Sequence, residues 1–302
     1  MTVREELERL EHRRLNPLAT FADGSTGRPR QEPERVEDVR TCFQRDTDRV
    51  VHSKAFRRLM HKTQVFLRPE GDHYRTRMTH TLEVTRIAKT ITRALGLNED
   101  LAEAIAMGHD LGHTPFGHAG EGALSACLGK PFRHNEQSLR VVDCLEKDGQ
   151  GLNLTNEVRM GILCHTGARL PDTLEGQIIR RSDRIAYVNH DIDDAIRAGI
   201  LREADIPRSV ALTLGENPRD RINTLVCDVI ATSREAGAIA MTPSVELAFT
   251  ELREFMFERV YRNPVAKGEE SKAKEMLLRL YDYYFTNPQA LPETFQPQMS
   301  FD

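Results

Sequence analysis

Between about Asp46 and Leu201, apolar residues recur three and four positions apart, and strand-like alternation is scarce. That period predicts helices almost throughout and an all-α fold. One helix is expected around 78–95, with Val84, Ile87, Ala88 and Ile91 on its inner face. The next starts at Asn98, a good N-cap, with Glu99 and Asp100 in the first turn where the helix dipole favours negative charge. A third spans 118–128 and stops at Gly129. The C-terminal third shows helical runs at Val245–Val260 and Lys272–Tyr284, then a Pro-rich tail that reads as loosely ordered. Residues 20–38, rich in Gly, Pro, Arg and Glu, read as a mobile loop or linker. The expected organisation is an N-terminal helix and flexible loop over 1–39, a helical core over 40–205 and a C-terminal helical region over 206–302.

Several polar residues fall on the apolar faces. His80 precedes Val84, Ile87, Ala88 and Ile91 by four, seven, eight and eleven positions, so it points inward. Leu101, Ile105 and His109 are four apart, and Ile179, Asp183 and Tyr187 share another stripe. A buried, unpaired carboxylate is costly. His80, His109, Asp110 and Asp183 can satisfy one another through a shared divalent cation. Two imidazoles and two carboxylates suit Mn²⁺, Fe²⁺, Co²⁺, Ni²⁺ or Zn²⁺, and open coordination positions would take water or a substrate oxygen. A lone inward histidine is more often a hydrogen-bonded core residue. The run from His109 to Glu121 argues otherwise, because it packs His109, His113, His118, Asp110 and Glu121 among turn-forming glycines and a proline.

Composition narrows the picture. The 302 residues are long for one typical domain and short for two large ones, which favours one helical body with peripheral additions. A net charge of −4 argues against a dedicated nucleic-acid binder, while leaving room for a local basic pocket. Cys42, Cys127, Cys144, Cys164 and Cys227 are scattered and form no C-x-x-C pair, as expected of reduced thiols in a cytoplasmic protein. The first residues lack the apolar run of a signal peptide, and no stretch approaches the roughly 20 apolar residues of a membrane span. No membrane association is expected.

The order His80, His109-Asp110, Asp183 resembles the H…HD…D signature of the HD-domain metal-dependent phosphohydrolases. The likeness is closer still to the deoxynucleoside triphosphate triphosphohydrolases, the bacterial dGTPases and their dGTPase-like relatives. It is carried by the run 109–121, by Arg45 to Leu59 followed by Lys62-Thr63-Gln64-Val65-Phe66, and by Arg75 to Val84. Phe132 to Gln137 and Asp183-Arg184-Ile185-Ala186-Tyr187 extend it, so that it covers roughly residues 40–200. The resemblance implies an HD-domain helical bundle in which water attacks the α-phosphorus of a dNTP and releases intact triphosphate. It implies His80, His109, Asp110 and Asp183 as ligands of a divalent metal, with Mn²⁺ or Mg²⁺ first.

Such a reaction needs cations for the triphosphate and an acid for the 5′-oxygen. Lys54, Arg57, Arg58, His61 and Lys62 form a basic stripe opposite Ala55, Phe56 and Leu59. The period alone reads as a solvated face; the resemblance points to phosphate binding by some members, with Lys54 and Arg58 as candidates. Arg77 looks like the family arginine that reaches phosphate, and Gln64 resembles the glutamine near the sugar or base. His118 and Glu121 share a helix face. Glu121 is expected to orient His118, which protonates the leaving group or positions the water; the ordinary alternative is a first-turn glutamate favoured by the dipole. His113 and His134 are candidates for neutralising phosphate charge. Tyr187 is either a sugar contact or a core tyrosine, Asp191 either binds the 3′-hydroxyl or pairs with Arg184, and His165 reads as a core histidine. Alternatives are another HD phosphohydrolase, either a nucleotidase or a phosphodiesterase, or a protein that binds nucleotide or single-stranded DNA with weak catalysis. A nucleotide activator and a homo-oligomer are further expectations from the family.

Overall fold

The computed structural model describes residues 1–32, 38–63, 75–262, 270–293 and 296. Gln64 lies outside them. Among the described residues the chain forms thirteen α-helices and no sheet, as the helical period predicts. They are α1 (Val3–Arg14), α2 (Cys42–Val51), α3 (Lys54–Arg58), α4 (Arg77–Leu95), α5 (Glu99–Gly108), α6 (Gly117–Leu128) and α7 (His134–Arg140). After these come α8 (Asn156–Cys164), α9 (Leu174–Arg197), α10 (Arg208–Leu214), α11 (Pro218–Ala236), α12 (Pro243–Met256) and α13 (Glu270–Thr286).

Helix α5 is the hub. The Asn98 side chain caps it by accepting from the backbone N–H groups of Asp100 and Leu101. Seven of its ten residues are buried, against α2, α4, α8 and α9. Small residues decide how closely α8 approaches. A Cβ on Gly161 would lie 2.5 Å from Ile105 Cδ1, and one on Gly108 would lie 2.5 Å from Ile162 Cδ1. This reciprocal contact draws the C-terminal ends of α5 and α8 together, and both ends carry a histidine. Helix α9 crosses α4, α11 covers both, and α13 packs on α6.

Two expectations are corrected. The stretch after α1 is no free linker over its described part. Thr20 donates its N–H and hydroxyl to Glu175, Ser25 and Thr26 donate to Glu157, and Arg28 bonds Asp46 and the Asn153 carbonyl. Buried carboxylates on the body need donors, and this polar segment supplies them. The basic stripe also breaks, because α3 ends at Arg58 and gives way to a 3₁₀ turn over Leu59–His61. Lys54 turns outward to Asp148, and Arg57 to the His52 carbonyl. Lys62 instead turns inward and donates to the Leu111 carbonyl at 3.2 Å.

Replacing Gly161 by Ala is expected to destabilise the fold by about 1–3 kcal/mol through overpacking at Ile105. Urea unfolding measures it. A midpoint equal to that of the unaltered protein would mean that α5 and α8 do not approach this closely.

Candidate active site

Three helices deliver the expected ligands to one place. His80 comes from α4, His109 and Asp110 from the end of α5, and Asp183 from α9. His109 Nδ1 lies 2.6 Å from the Ala106 carbonyl and must carry the proton, because a carbonyl only accepts. Its Nε2 is therefore the nitrogen turned toward the carboxylates. That atom is buried, has no partner, and faces Asp110 Oδ1 at 3.5 Å and Asp183 Oδ1 at 3.9 Å. A buried nitrogen left without a partner beside two carboxylate oxygens is satisfied when a cation sits among them. His80 Nε2 lies 3.1 Å from Asp183 Oδ1, and His80, His109 and Asp110 each place a ligand atom within 4.8 Å of the others. The donor set thus fits a divalent metal.

The electrostatics keep both carboxylates charged. Burial pushes Asp110 up, but the basic groups around it, Arg77 among them, outweigh it and hold the carboxyl well below the usual range. Arg77 NH1 donates to Asp110 Oδ2 at 2.8 Å. Burial likewise acts against Asp183, and the hydrogen bond from His80 with the nearby His109 brings it down to about 2. Lys62 sits beside this cluster; burial, then Arg77, push its ammonium down to about 8.

A turn carries the chain from Asp110 to the second group of residues. Gly112 allows it to sit on α7, since a Cβ there would lie 2.1 Å from the Ser138 backbone nitrogen. Ser138 Oγ accepts from the Gly112 N–H and donates to the His109 carbonyl. At Phe116 the backbone enters the left-handed region at φ 64° and opens α6. His118 and Glu121 share a face of that helix as expected: His118 Nδ1 lies 2.9 Å from Glu121 Oε2. Glu121 Oε1 meets His134 Nδ1 at 2.7 Å and also accepts the His134 backbone N–H. Burial raises the Glu121 carboxyl, but the bonds from His118 and His134 bring it down to about 2. His113 is buried, stacks on the His134 ring at 3.9 Å and places Nε2 3.4 Å from Asp110 Oδ1. Burial, then Arg77, hold His113 well below its ordinary value, so it is neutral. Asp110, His113 and His134 also stand at ligand spacing, but both His134 nitrogens are already engaged, with Glu121 and with His165.

Most of the site's side chains line one cavity of about 640 Å³, with His109 and Glu121 set behind its wall. Arg77, His80, Asp110, His113, His118, His134, Asp183, Tyr187 and Asp191 all face it, whereas Lys54 and Arg58 do not line it. The alternative pairing of Asp191 with Arg184 is replaced by another: Tyr261 Oη donates to Asp191 Oδ2 at 2.5 Å. Burial pushes the Asp191 carboxyl up to about 7. Tyr187 accepts at its hydroxyl from Arg253 Nε at 3.1 Å. The sequence reading missed Phe257, Tyr261, Arg262 and Glu270, which bring the C-terminal region into the cavity wall. They belong to no motif, and only the helical run at 245–260 hinted that structure continued there.

Comparison with known proteins agrees with this architecture. Residues 77–188 match the HD domain family, and residues 239–301 match the phosphohydrolase-associated domain. A protein from Caldanaerobacter subterraneus is 55% identical over 295 residues, covering 98% of this chain and 86% of its own. One from Clostridium tetani is 49% identical over 307 residues, covering 98% and 87%. One from Bordetella pertussis is 39% identical over 346 residues, covering 94% and 90%. Each of the three is described as a deoxyguanosinetriphosphate triphosphohydrolase-like protein. Such identity over nearly the whole length, on an HD-domain helical fold, shows that the chain belongs to the deoxyguanosinetriphosphate triphosphohydrolase-like family of hydrolases.

Proposed function

We propose that the protein hydrolyses deoxynucleoside triphosphates, dGTP among them, to deoxynucleoside and inorganic triphosphate with a divalent metal. The observation that carries this reading is the pairing, across one cavity, of the His80, His109, Asp110 and Asp183 cluster with the His118–Glu121 pair. His80, His109, Asp110 and Asp183 are the proposed ligands of the ion, with Mn²⁺ or Mg²⁺ first. A bound divalent ion supplies Lewis-acid stabilisation of charge on a phosphate oxygen.

The remaining steps fall to side chains. Water adds to the α-phosphorus, the bond from that phosphorus to the 5′-oxygen breaks, and the leaving oxygen needs a proton. His118 is the proposed donor. Its Nδ1 is held by an ionised Glu121, which stabilises the imidazolium and leaves Nε2–H for the leaving group. The His118 side chain is 85% exposed, so bulk water can reprotonate it between turnovers. Arg77 and Arg262 line the cavity and are the proposed triphosphate contacts. His113 and His134 do not reach phosphate as free donors: one is neutral, and the other has both nitrogens engaged. The Tyr187 ring is proposed to pack on the sugar. Asp191 Oδ1, buried and without a partner, is proposed to accept the 3′-hydroxyl.

Incubation with each dNTP and Mn²⁺, singly and in pairs, is expected to release triphosphate. Orthophosphate or pyrophosphate as the product would instead indicate a nucleotidase or phosphodiesterase. Activity only with pairs would reveal a nucleotide activator.

His118→Ala is expected to lower kcat by about 100-fold or more while metal content stays unchanged. Wild-type turnover in a metal-loaded variant would rule out His118 as the acid.

Asp191 makes the metal-free protein pH-sensitive. Its folded value, about 7, lies above the unfolded 3.8, so between these values the folded state holds a proton that the unfolded state has released. Stability is fully present below 3.8 and falls as pH rises through about 7. Asp191→Asn should remove this slope and stabilise the chelator-treated protein at pH 8, by an amount on the order of a few kcal/mol. Parallel stability–pH curves for the two proteins would contradict the burial of an ionisable Asp191.

A further inference from the structure

His165 is a buried group that the steps above do not use. It caps α8, and its Nδ1 lies 2.7 Å from the Ile162 carbonyl. A carbonyl only accepts, so this nitrogen carries the proton and His165 Nε2 is bare. That bare nitrogen lies 3.2 Å from His134 Nε2. Two bare nitrogens would repel at this distance, so His134 Nε2 must be the donor. His134 Nδ1 lies 2.7 Å from an oxygen of the ionised Glu121, which also only accepts. His134 therefore donates from both ring nitrogens, to Glu121 and to His165.

We propose that His165 is a positioning residue. By accepting the His134 Nε2–H, it fixes His134 as a double donor and so reserves the second Glu121 oxygen for His118. Without that acceptor, a neutral His134 would keep its one proton on Nδ1, toward Glu121, and its ring would be anchored on that side only. The bond to the carboxylate would weaken, and Glu121 would be held less firmly in its orientation. The order of dependence is then His165, His134, Glu121, His118. It starts at the α5–α8 contact, because the same approach seats His165 edge-on against His109, with ring centroids 5.0 Å apart. The catalytic part of this inference rests on His118 as the proton donor. Its geometric part does not.

The test compares His165→Leu, which removes the acceptor, with His165→Gln, whose Oε1 can stand where Nε2 stood. His165→Leu is expected to lower kcat about 10-fold, with KM, thermal midpoint and metal content unchanged, and His165→Gln to recover most of the loss. Equal losses in both variants, or an undiminished kcat in His165→Leu, would overturn the proposal. Nitrogen-15 spectra of the metal-free wild-type protein near neutral pH give a readout independent of turnover. Both His134 ring nitrogens should be protonated, and a spectrum with one bare His134 nitrogen would overturn the proposal even if His165→Leu failed to fold. Should no dNTP be turned over, the function reading would fall while the spectrum still decided whether His165 holds His134.

Discussion

Asp110 and Asp183 hold negative charge at the meeting of α4, α5 and α9, and the arrangement around them follows from keeping that charge. A carboxylate enclosed by protein must be neutralised, protonated or bonded to a cation. Arg77 answers part of the demand with one hydrogen bond to Asp110, and His80 answers another on Asp183. What is left over is His109 Nε2, a buried nitrogen without a partner that faces both. Its orientation is set three residues earlier by the Ala106 carbonyl. A backbone hydrogen bond in an ordinary helix thus decides which atom faces the proposed metal, as commonly happens when a ligating histidine is fixed by its other nitrogen.

The same centre depends on close backbone approach. Gly108 and Gly161 leave no room for a Cβ between α5 and α8, and Gly112 leaves none between the 110–116 turn and α7. The first contact brings His109 and His165 together, and the second brings His134 over His113. These contacts belong to a continuous array of seven histidines, His190, His80, His109, His165, His134, His113 and His118, four of which line the cavity. Burial keeps His113 and His165 uncharged, with His165 pushed down to about 3. His134, between them, has a carboxylate against it, with Glu121 Oε1 2.7 Å from its Nδ1.

Much of this was legible in the sequence, for physical reasons that differ by residue. His80, His109 and Asp183 fall on helical apolar faces, so period alone turns them inward, and the Asn98 cap fixes where α5 begins. The His118–Glu121 pair needed only the spacing of one helix face. The basic stripe misled because it assumed one continuous helix over 54–62, whereas the 3₁₀ turn after Arg58 rotates Lys62 away from Lys54. The pairing of Glu121 with His134, and of His134 with His165, joins three helices and leaves no trace in local spacing. Nor could composition show that the Gly- and Pro-rich stretch after α1 supplies donors to Glu157 and Glu175.

The C-terminal region shows most clearly why a motif is not a site. Its residues carry no HD signature, yet Arg253 holds the Tyr187 hydroxyl and Tyr261 holds Asp191. Tyr187 and Asp191 lie one and two turns beyond Asp183 on α9, so both bonds act on the helix that carries a proposed metal ligand. Tyr261 sits in the π-turn that follows α12, and α13 packs against the helix of His118. The C-terminal region therefore touches both halves of the cavity: α9 through hydrogen bonds and α6 through packing. Its placement constrains the proposed acid and the proposed sugar contacts together. A substitution there can alter the cavity without touching any residue of the H…HD…D signature.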